Sequence, residues 1–197
     1  NNISPMYQDE FILGYQQQLT DNWTAGIRGI YRELQSGMDD VCPYDEPYNW
    51  AIANGYTDVE AGAIASAINH CFLTNPGQDL SANVDLAGDG NLVVVNIPAA
   101  ALGLPKAERK YSAIELLFEG RFDNWFLQGS YTWSESRGNT EGYVKSDNGQ
   151  DDAGITQDFD YPGLMDGANG YLPNDRRHSV KLFGSYSFTD EWQVGGN

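Results

Sequence analysis

The residues of this chain that could do chemistry are mostly carboxylates, and they are gathered in two stretches. Ten acidic residues and one basic residue (Lys106) lie in 36–108, and eight acidic and two basic residues (Arg137, Lys145) lie in 137–175. Together these stretches carry −15 of the net charge of −17. In the second, Asp147, Asp151, Asp152, Asp158, Asp160 and Asp166 are hard oxygen donors that could bind calcium or a cationic ligand. The same residue types stabilise turns by bonding their own backbone, so turn chemistry explains most of them equally well. The run from Asp85 to Asn91 reads as a turn. It only faintly resembles a calcium loop, because it lacks the spaced acidic ligands and the closing Glu.

Cys42 and Cys71 are the two cysteines, and both fall in the first acidic stretch. Two Cys confined to one loop point to a disulfide in an oxidising compartment, the alternative being two unrelated free thiols. Zinc is not indicated, since His70 abuts Cys71 and nothing completes a ligand set. Searches for catalysis fail: there is no GxSxG, no HExxH and no phosphate-cradling glycine loop. No enzymatic activity and no cofactor beyond a possible calcium ion is expected. His178, after Arg176 and Arg177, reads as a residue at a strand start rather than a base. A sequon at Asn22 occupies a turn and is read as geometry. The acidic balance argues against a nucleic-acid partner, which would require clustered Lys and Arg.

The elements that must carry these stretches are strands. A five-residue phrase occurs three times, at Leu19 to Trp23, Arg121 to Trp125 and Phe188 to Trp192, each with Asp and then Asn or Glu before Trp. Each lies between runs of alternating apolar and polar residues, which is the pattern of a tight two-residue turn between antiparallel strands. Trp23–Glu33, Ser112–Phe122, Trp125–Glu135 and His178–Phe188 each alternate over a length that suits a tilted strand crossing a hydrocarbon layer. Phe11–Leu19 is similar, and a further strand begins at Trp192. Gly and Tyr recur two apart on the apolar face as Gly29/Tyr31, Gly129/Tyr131 and Gly184/Tyr186. Aromatic residues collect at the strand ends, with Trp23, Trp125 and Trp192 near the turns and Tyr31, Tyr131 and Trp133 toward the long connections. With Tyr186, these form the expected membrane-interface set.

Mean hydropathy is −0.50. The longest apolar run, Leu92–Leu104, is interrupted by Asn96 and Pro98 and is too short for a membrane-spanning helix. A barrel strand meets lipid only at alternate residues, so modest hydropathy is compatible with a barrel. The expected fold is therefore all-β: an antiparallel transmembrane β-barrel segment of about six strands, cut from a larger barrel, with short turns at one end and long external loops at 36–108 and 137–175. Six strands cannot close such a barrel, and an open edge is not tolerated in a bilayer. The absence of a leader at Asn1 and the broken-off strand at Asn197 fit a piece of a longer protein. Alternation alone also suits a soluble β-sandwich, whose core needs one apolar face. In the first loop, Thr57 to Phe72 has helical character with Thr57 as N-cap and Glu60 at capping-box spacing. Val59, Ala63, Ala67, Ile68 and Cys71 are the expected shared face, and Asn91–Ile97 is a possible extra strand.

Several strings give a family resemblance. They are Glu141 to Asp147, Gly149 to Gly154, Asp158 to Asp160, Leu164 to Gly167, Leu172 to His178, the strands Arg109 to Leu116 and Trp125 to Ser134, and Asp9 to Tyr15. Together they resemble the barrel region of TonB-dependent outer-membrane receptors, nearest the Oar-like group. That resemblance implies a barrel of about 22 strands closed by an N-terminal plug. It also implies a cell outer-membrane location in a Gram-negative bacterium, with extracellular loops that capture a large ligand for energised passage. The implied partners are outer-membrane lipid, a TonB complex reached through parts outside this chain, and an extracellular ligand. Two other readings remain open at this point: a surface adhesion or scaffold barrel that binds without transport, and a soluble carbohydrate-binding β-sandwich.

Overall fold

The computed structural model describes residues 3–142, 149 and 156–197. In chain order the strands are β1 (Tyr7–Gln18), β2 (Trp23–Ser36), β3 (Asp39–Val41), β4 (Phe72–Thr74), β5 (Leu80–Asp85), β6 (Leu92–Ile97), β7 (Arg109–Arg121), β8 (Trp125–Gly138), β9 (Gly170–Tyr171), β10 (His178–Ser187) and β11 (Gln193–Gly196). The helices are α1 (Glu46–Ala53), α2 (Asp58–Ala67) and the single turn α3 (Ala99–Leu102). One sheet of seven strands has the order β1-β2-β7-β8-β10-β11, with β9 also on β8. It is open among the described residues, with β1 and β11 at its edges. Two two-stranded antiparallel sheets, β3-β4 and β5-β6, are separate from it. No described helix is long and apolar enough to cross a membrane. The chain divides into two compact units, each assembled from separated stretches. The first holds 1–8, 34–109 and 138–173, and the second holds 9–33, 110–137 and 174–197.

The second unit is the antiparallel sheet. Its three short turns are not alike, and the repeated Thr explains why. In the first, Thr20 Oγ1 accepts the N–H of Asn22 and of Trp23, at 3.3 and 3.1 Å, and Leu19 N–H donates to Trp23 C=O at 2.8 Å. In the third, Thr189 Oγ1 accepts from Glu191 and Trp192 N–H, both at 3.2 Å, and Phe188 N–H donates to Trp192 C=O. Both therefore enclose three residues, closed by a hydroxyl. Only the middle turn, where Phe122 replaces Thr and donates its N–H to Trp125 C=O, has two residues inside. No described non-glycine residue has positive φ, so none of these turns uses the left-handed backbone of a type I′ hairpin.

The two faces of the sheet differ sharply. Phe11, Leu13, Tyr15, Ile27, Ile114, Leu116, Val180, Leu182 and Val194 are all exposed, Leu13 at 84% and Val180 at 74%. Among the described residues no second layer covers these side chains, as a sandwich would require. The other face is tied by ion pairs between adjacent strands. Arg28 and Glu115 stand directly opposite in the β2-β7 register, with Nε to Oε2 at 2.6 Å. Thr132 on β8 adds a hydrogen bond to the same carboxylate, and Arg32 reaches Glu10 on β1 at 2.6 Å. Direct pairs of opposite charge stabilise a ladder by a few tenths to about 1 kcal/mol each. The Phe118 ring lies over Gly129, where an added Cβ would make it turn aside.

The first unit is a folded body with its own core, where loops were expected. Val41, Ile64, Ile68, Leu80, Val95, Ile97 and Leu104 from 34–109 pack with Phe159 and Met165 from 138–173, and Phe159 is fully buried. The capping box of α2 forms as read from the sequence, with Thr57 and Glu60 each bonded to the other's backbone N–H. The helix nevertheless stops at Ala67, because the chain must turn to enter β4 at Phe72. Its buried face is also different from the expected one. Ala61, Ile64 and Ile68 face inward at helical spacing, while Val59 is 83% exposed and Ala63 and Ala67 lie outside. The turn from Asp85 to Asn91 is held by the Asp85 carboxylate, which accepts N–H bonds from Gly88, Asp89 and Gly90 at 2.7–3.2 Å. Gly88 and Gly90 take positive φ there, which a side chain resists.

Two buried amides fasten the unit. Asn139 accepts from Glu108 N–H and donates to Lys106 C=O, and Asn75 donates to Ser4 C=O, Gly37 C=O and Ser36 Oγ. Replacing Phe159 by Ala should cost about 3–5 kcal/mol through lost burial and the cavity left behind. Hydrogen exchange is expected to show loss of protection in β5 and β6 with β7 and β8 unchanged; unaltered protection of β5 and β6 would show that Phe159 does not hold this core.

Candidate functional site

Chemistry-bearing residues converge at one place in the first unit, around the start of β3. Cys42 and Cys71 form a disulfide across 29 residues of sequence. In the chain-entropy picture such a cross-link stabilises by roughly 3–4 kcal/mol. Cys42 N–H donates to Asp160 C=O at 3.3 Å, which ties the two halves of the unit beside the bridge. Thr156 Oγ1 donates to Asp39 Oδ1 at 2.6 Å, and Asp40 N–H donates to the same oxygen at 3.0 Å. Asp39, Asp40, Asp158 and Asp160 are thus brought into one neighbourhood by residues 117 positions apart in the Thr156–Asp39 bond.

Burial dominates the electrostatics here. It pushes the Asp39 carboxyl up to about 7, against the lowering effect of Thr156 and the Asp40 N–H, while the charges of Asp40 and Asp158 raise it further. Asp160 is also raised, first by burial and then by Asp40 and Asp158, and among the described residues its buried Oδ1 has no hydrogen-bond partner. Asp85 shows the opposite case: its backbone N–H bonds hold it below the ordinary carboxylate range.

The expected metal set is only partly open to inspection. Asp147, Asp151 and Asp152 lie outside the described residues. Asp158 and Asp160 are described, and they meet Asp39 and Asp40, which the sequence reading did not single out. Asp40, Asp160, Cys42 and Cys71 lie within 4.8 Å by their polar atoms. The two sulfurs are bonded to each other and are not thiolates, so they do not act as metal ligands. The available signal for Asp39 and Asp40 was their adjacency to Cys42, an acidic doublet next to a bridging residue.

In the second unit Trp23 and Trp125 gather with Phe118 and Phe122 near the short turns, while Tyr131 and Trp133 lie beside His178 at the other strand ends. Trp23 lies 5.8–6.5 Å from Phe118, Phe122 and Trp125 by ring centroid, and Phe122 stacks on Trp125 at 4.0 Å. Tyr186 Oη accepts from Asn124 Nδ2 at 3.2 Å, and Tyr131 Oη bonds His178 Nδ1 at 2.8 Å. Tyr31, Tyr131, Trp133, Tyr186 and Trp192 are all exposed, Trp192 at 70%. Trp23 and Trp125, which pack on each other, are half-buried.

The raised carboxyl gives a signed pH dependence. Between its ordinary value of 3.8 and about 7, folded Asp39 keeps a proton that the unfolded chain has lost. Its contribution is therefore greatest at low pH and falls as pH rises through that window. Asp39→Asn, neutral at every pH, should gain thermal stability over the parent as pH rises from 4.5 to 8. A stability difference that stays constant across that range would contradict the assignment.

By sequence the chain is 35% identical over 187 residues, 94% of its length, to the TonB-dependent transporter Oar of Myxococcus xanthus. It spans 14% of that protein's length. No family model matches the chain, and no solved structure matches it. Over nearly its whole length, the chain is similar to one stretch of that transporter.

Proposed function

We infer that this chain is part of an outer-membrane TonB-dependent transporter, with the sheet of the second unit forming an arc of its barrel wall. The observation that carries this reading is the uncovered apolar face. A soluble protein would not leave Leu13, Ile114, Leu116, Val180 and Leu182 exposed along successive strands, because contiguous apolar patches of that kind mark contact with another phase or partner. Acyl chains satisfy that face without a second layer. Tyr31, Trp133, Tyr186 and Trp192 are the ring types that settle at a membrane interface. The salt-bridged opposite face suits a wet lumen. Edge strands β1 and β11 would then pair with further strands of the full protein, since a bilayer offers no water for unpaired backbone groups.

In this reading the first unit is extracellular and captures a large ligand, and passage is energised by a TonB complex acting on parts outside this chain. Its disulfide accords with an oxidising exterior. The relative's name supports the class of transporter alone; ligand and partners belong to this proposal. An adhesion barrel would share the sheet but would not depend on TonB. Ligand binding to cells with no passage of the ligand, unchanged by TonB depletion, would therefore favour adhesion or scaffolding over transport.

For the sheet itself, the direct comparison is between neighbouring positions on opposite faces. Leu182→Arg should destabilise the full-length protein in a bilayer by about 2–4 kcal/mol and reduce the SDS-resistant, heat-modifiable form. Lys181→Gln should leave both unchanged. Equal tolerance of both substitutions would contradict the lipid-facing assignment.

A further inference from the structure

The recurring pair of Gly and Tyr on the apolar face of the sheet meets three different surroundings. At Gly129 the Phe118 ring lies over the glycine, and at Gly184 the Leu127 side chain stands 3.4 Å from where a Cβ would be. A ring laid over a strand glycine fills the gap that the missing side chain leaves. At Gly29, chain neighbours aside, no described side chain comes within 4 Å of that position, and the nearest atom is the Leu13 carbonyl oxygen at 3.9 Å. The sheet therefore carries an open groove of about 590 Å³ there, lined by Phe11 and Leu13 of β1, Gly29 and Tyr31 of β2, Ile114 of β7 and Trp133 of β8. We propose that this groove seats one acyl chain of a membrane lipid against the Gly29 backbone, with the lipid's polar end at Tyr31 and Trp133. The inference rests on the reading of this face as lipid-facing, and it adds a fixed lipid to that reading.

Three observations converge on that occupant. None of the described lining residues carries a charge, so an ion would lose its hydration and gain nothing from carbon walls. The groove is flanked along the strands by exposed apolar side chains, Leu13 and Ile114 among them, and is continuous with the surface assigned to acyl chains. Its chemistry also changes along its length as a lipid's does. The walls are hydrocarbon beside Gly29 and become aromatic at Tyr31 and Trp133, and charge begins just beyond the rings. Tyr31 Oη donates to Glu33 at 3.0 Å, Glu33 meets Lys110 at 3.1 Å, and the Arg177 guanidinium lies 5.7 Å from the Trp133 ring centroid. Rings of this type settle where hydrocarbon gives way to headgroups. A thin, flexible hydrocarbon chain fits a slot one strand wide and gains dispersion contacts along both walls. Gly29 is not among the glycines with positive φ, so its backbone accepts a side chain, and a larger residue there would fill the seat from within.

The test uses the full-length protein reconstituted in phosphatidylcholine vesicles that contain a small fraction of phosphatidylcholine with a diazirine midway along one acyl chain. After illumination, peptide mapping locates the lipid adducts. Labelling of the peptides that hold 11–13 and 29–31 should exceed that of the peptide holding 180–182 by at least about fivefold. Gly29→Leu should abolish the excess, while Val180→Leu, which adds bulk elsewhere on the same face, should leave it intact. Heat-modifiability of each variant on SDS gels shows that the barrel has formed. Equal labelling of all three peptides, or an excess that survives Gly29→Leu, would overturn the proposal. So would a change of oligomeric state in Gly29→Leu without any groove labelling in the parent, which would give the seat to a second copy of the chain. Labelling at 180–182 without excess at the groove speaks against the seat alone, whereas absence of labelling at all three speaks against the lipid-facing reading itself.

Discussion

One constraint governs the second unit: a strand sends alternate side chains to opposite faces, and here the two faces demand opposite surroundings. Arg28 and Glu115 need water or each other, and the structure gives them each other. Leu116 and Ile114, their neighbours on β7, need an apolar phase and are left exposed among the described residues. At roughly 25 cal/mol per Å² of apolar area, leaving so many large side chains in water is a substantial penalty. The arrangement becomes favourable once an external apolar phase covers that side. Shifting any strand by one residue would exchange the faces, so the Arg28–Glu115 register also fixes which side is apolar.

The first unit solves a different problem. Its sequence is strongly acidic, and self-repulsion works against compactness. Compactness is recovered by a small core centred on Phe159, Ile64, Leu80 and Val95, by the Cys42–Cys71 bridge and by the buried amides Asn75 and Asn139. The carboxylates nearest that core are the ones whose proton affinity is raised. Asp39 sits under Thr156 with Asp40 and Asp158 close by, so the same burial that orders the chain makes the ionised form costly.

Much of the sheet was legible because its signals are local. Strand periodicity, the thrice-repeated turn phrase and the capping box at Thr57 and Glu60 each depend on residues a few positions apart. The turn details escaped because Thr20 and Thr189 act through a hydroxyl that the Asp-Asn pattern does not encode. The body built from 34–109 and 138–173 escaped for a stronger reason. Phe159 and Ile64 belong to one core although nearly a hundred residues separate them, and nothing in the spacing of either stretch announces it. The same holds for the bond from Thr156 to Asp39. The buried stripe of α2 was misassigned because its surrounding Ala residues are nearly equivalent by hydrophobicity, and only packing selects Ala61, Ile64 and Ile68.

The claim on which the account turns is that one side of the sheet contacts acyl chains. Spin labels at Leu182→Cys and Phe183→Cys, adjacent residues on opposite faces, measure this directly in the reconstituted full-length protein. Collision with dissolved oxygen, which concentrates in lipid, should dominate at 182, and collision with a water-soluble nickel chelate should dominate at 183. Nickel access dominating at 182 would contradict the account.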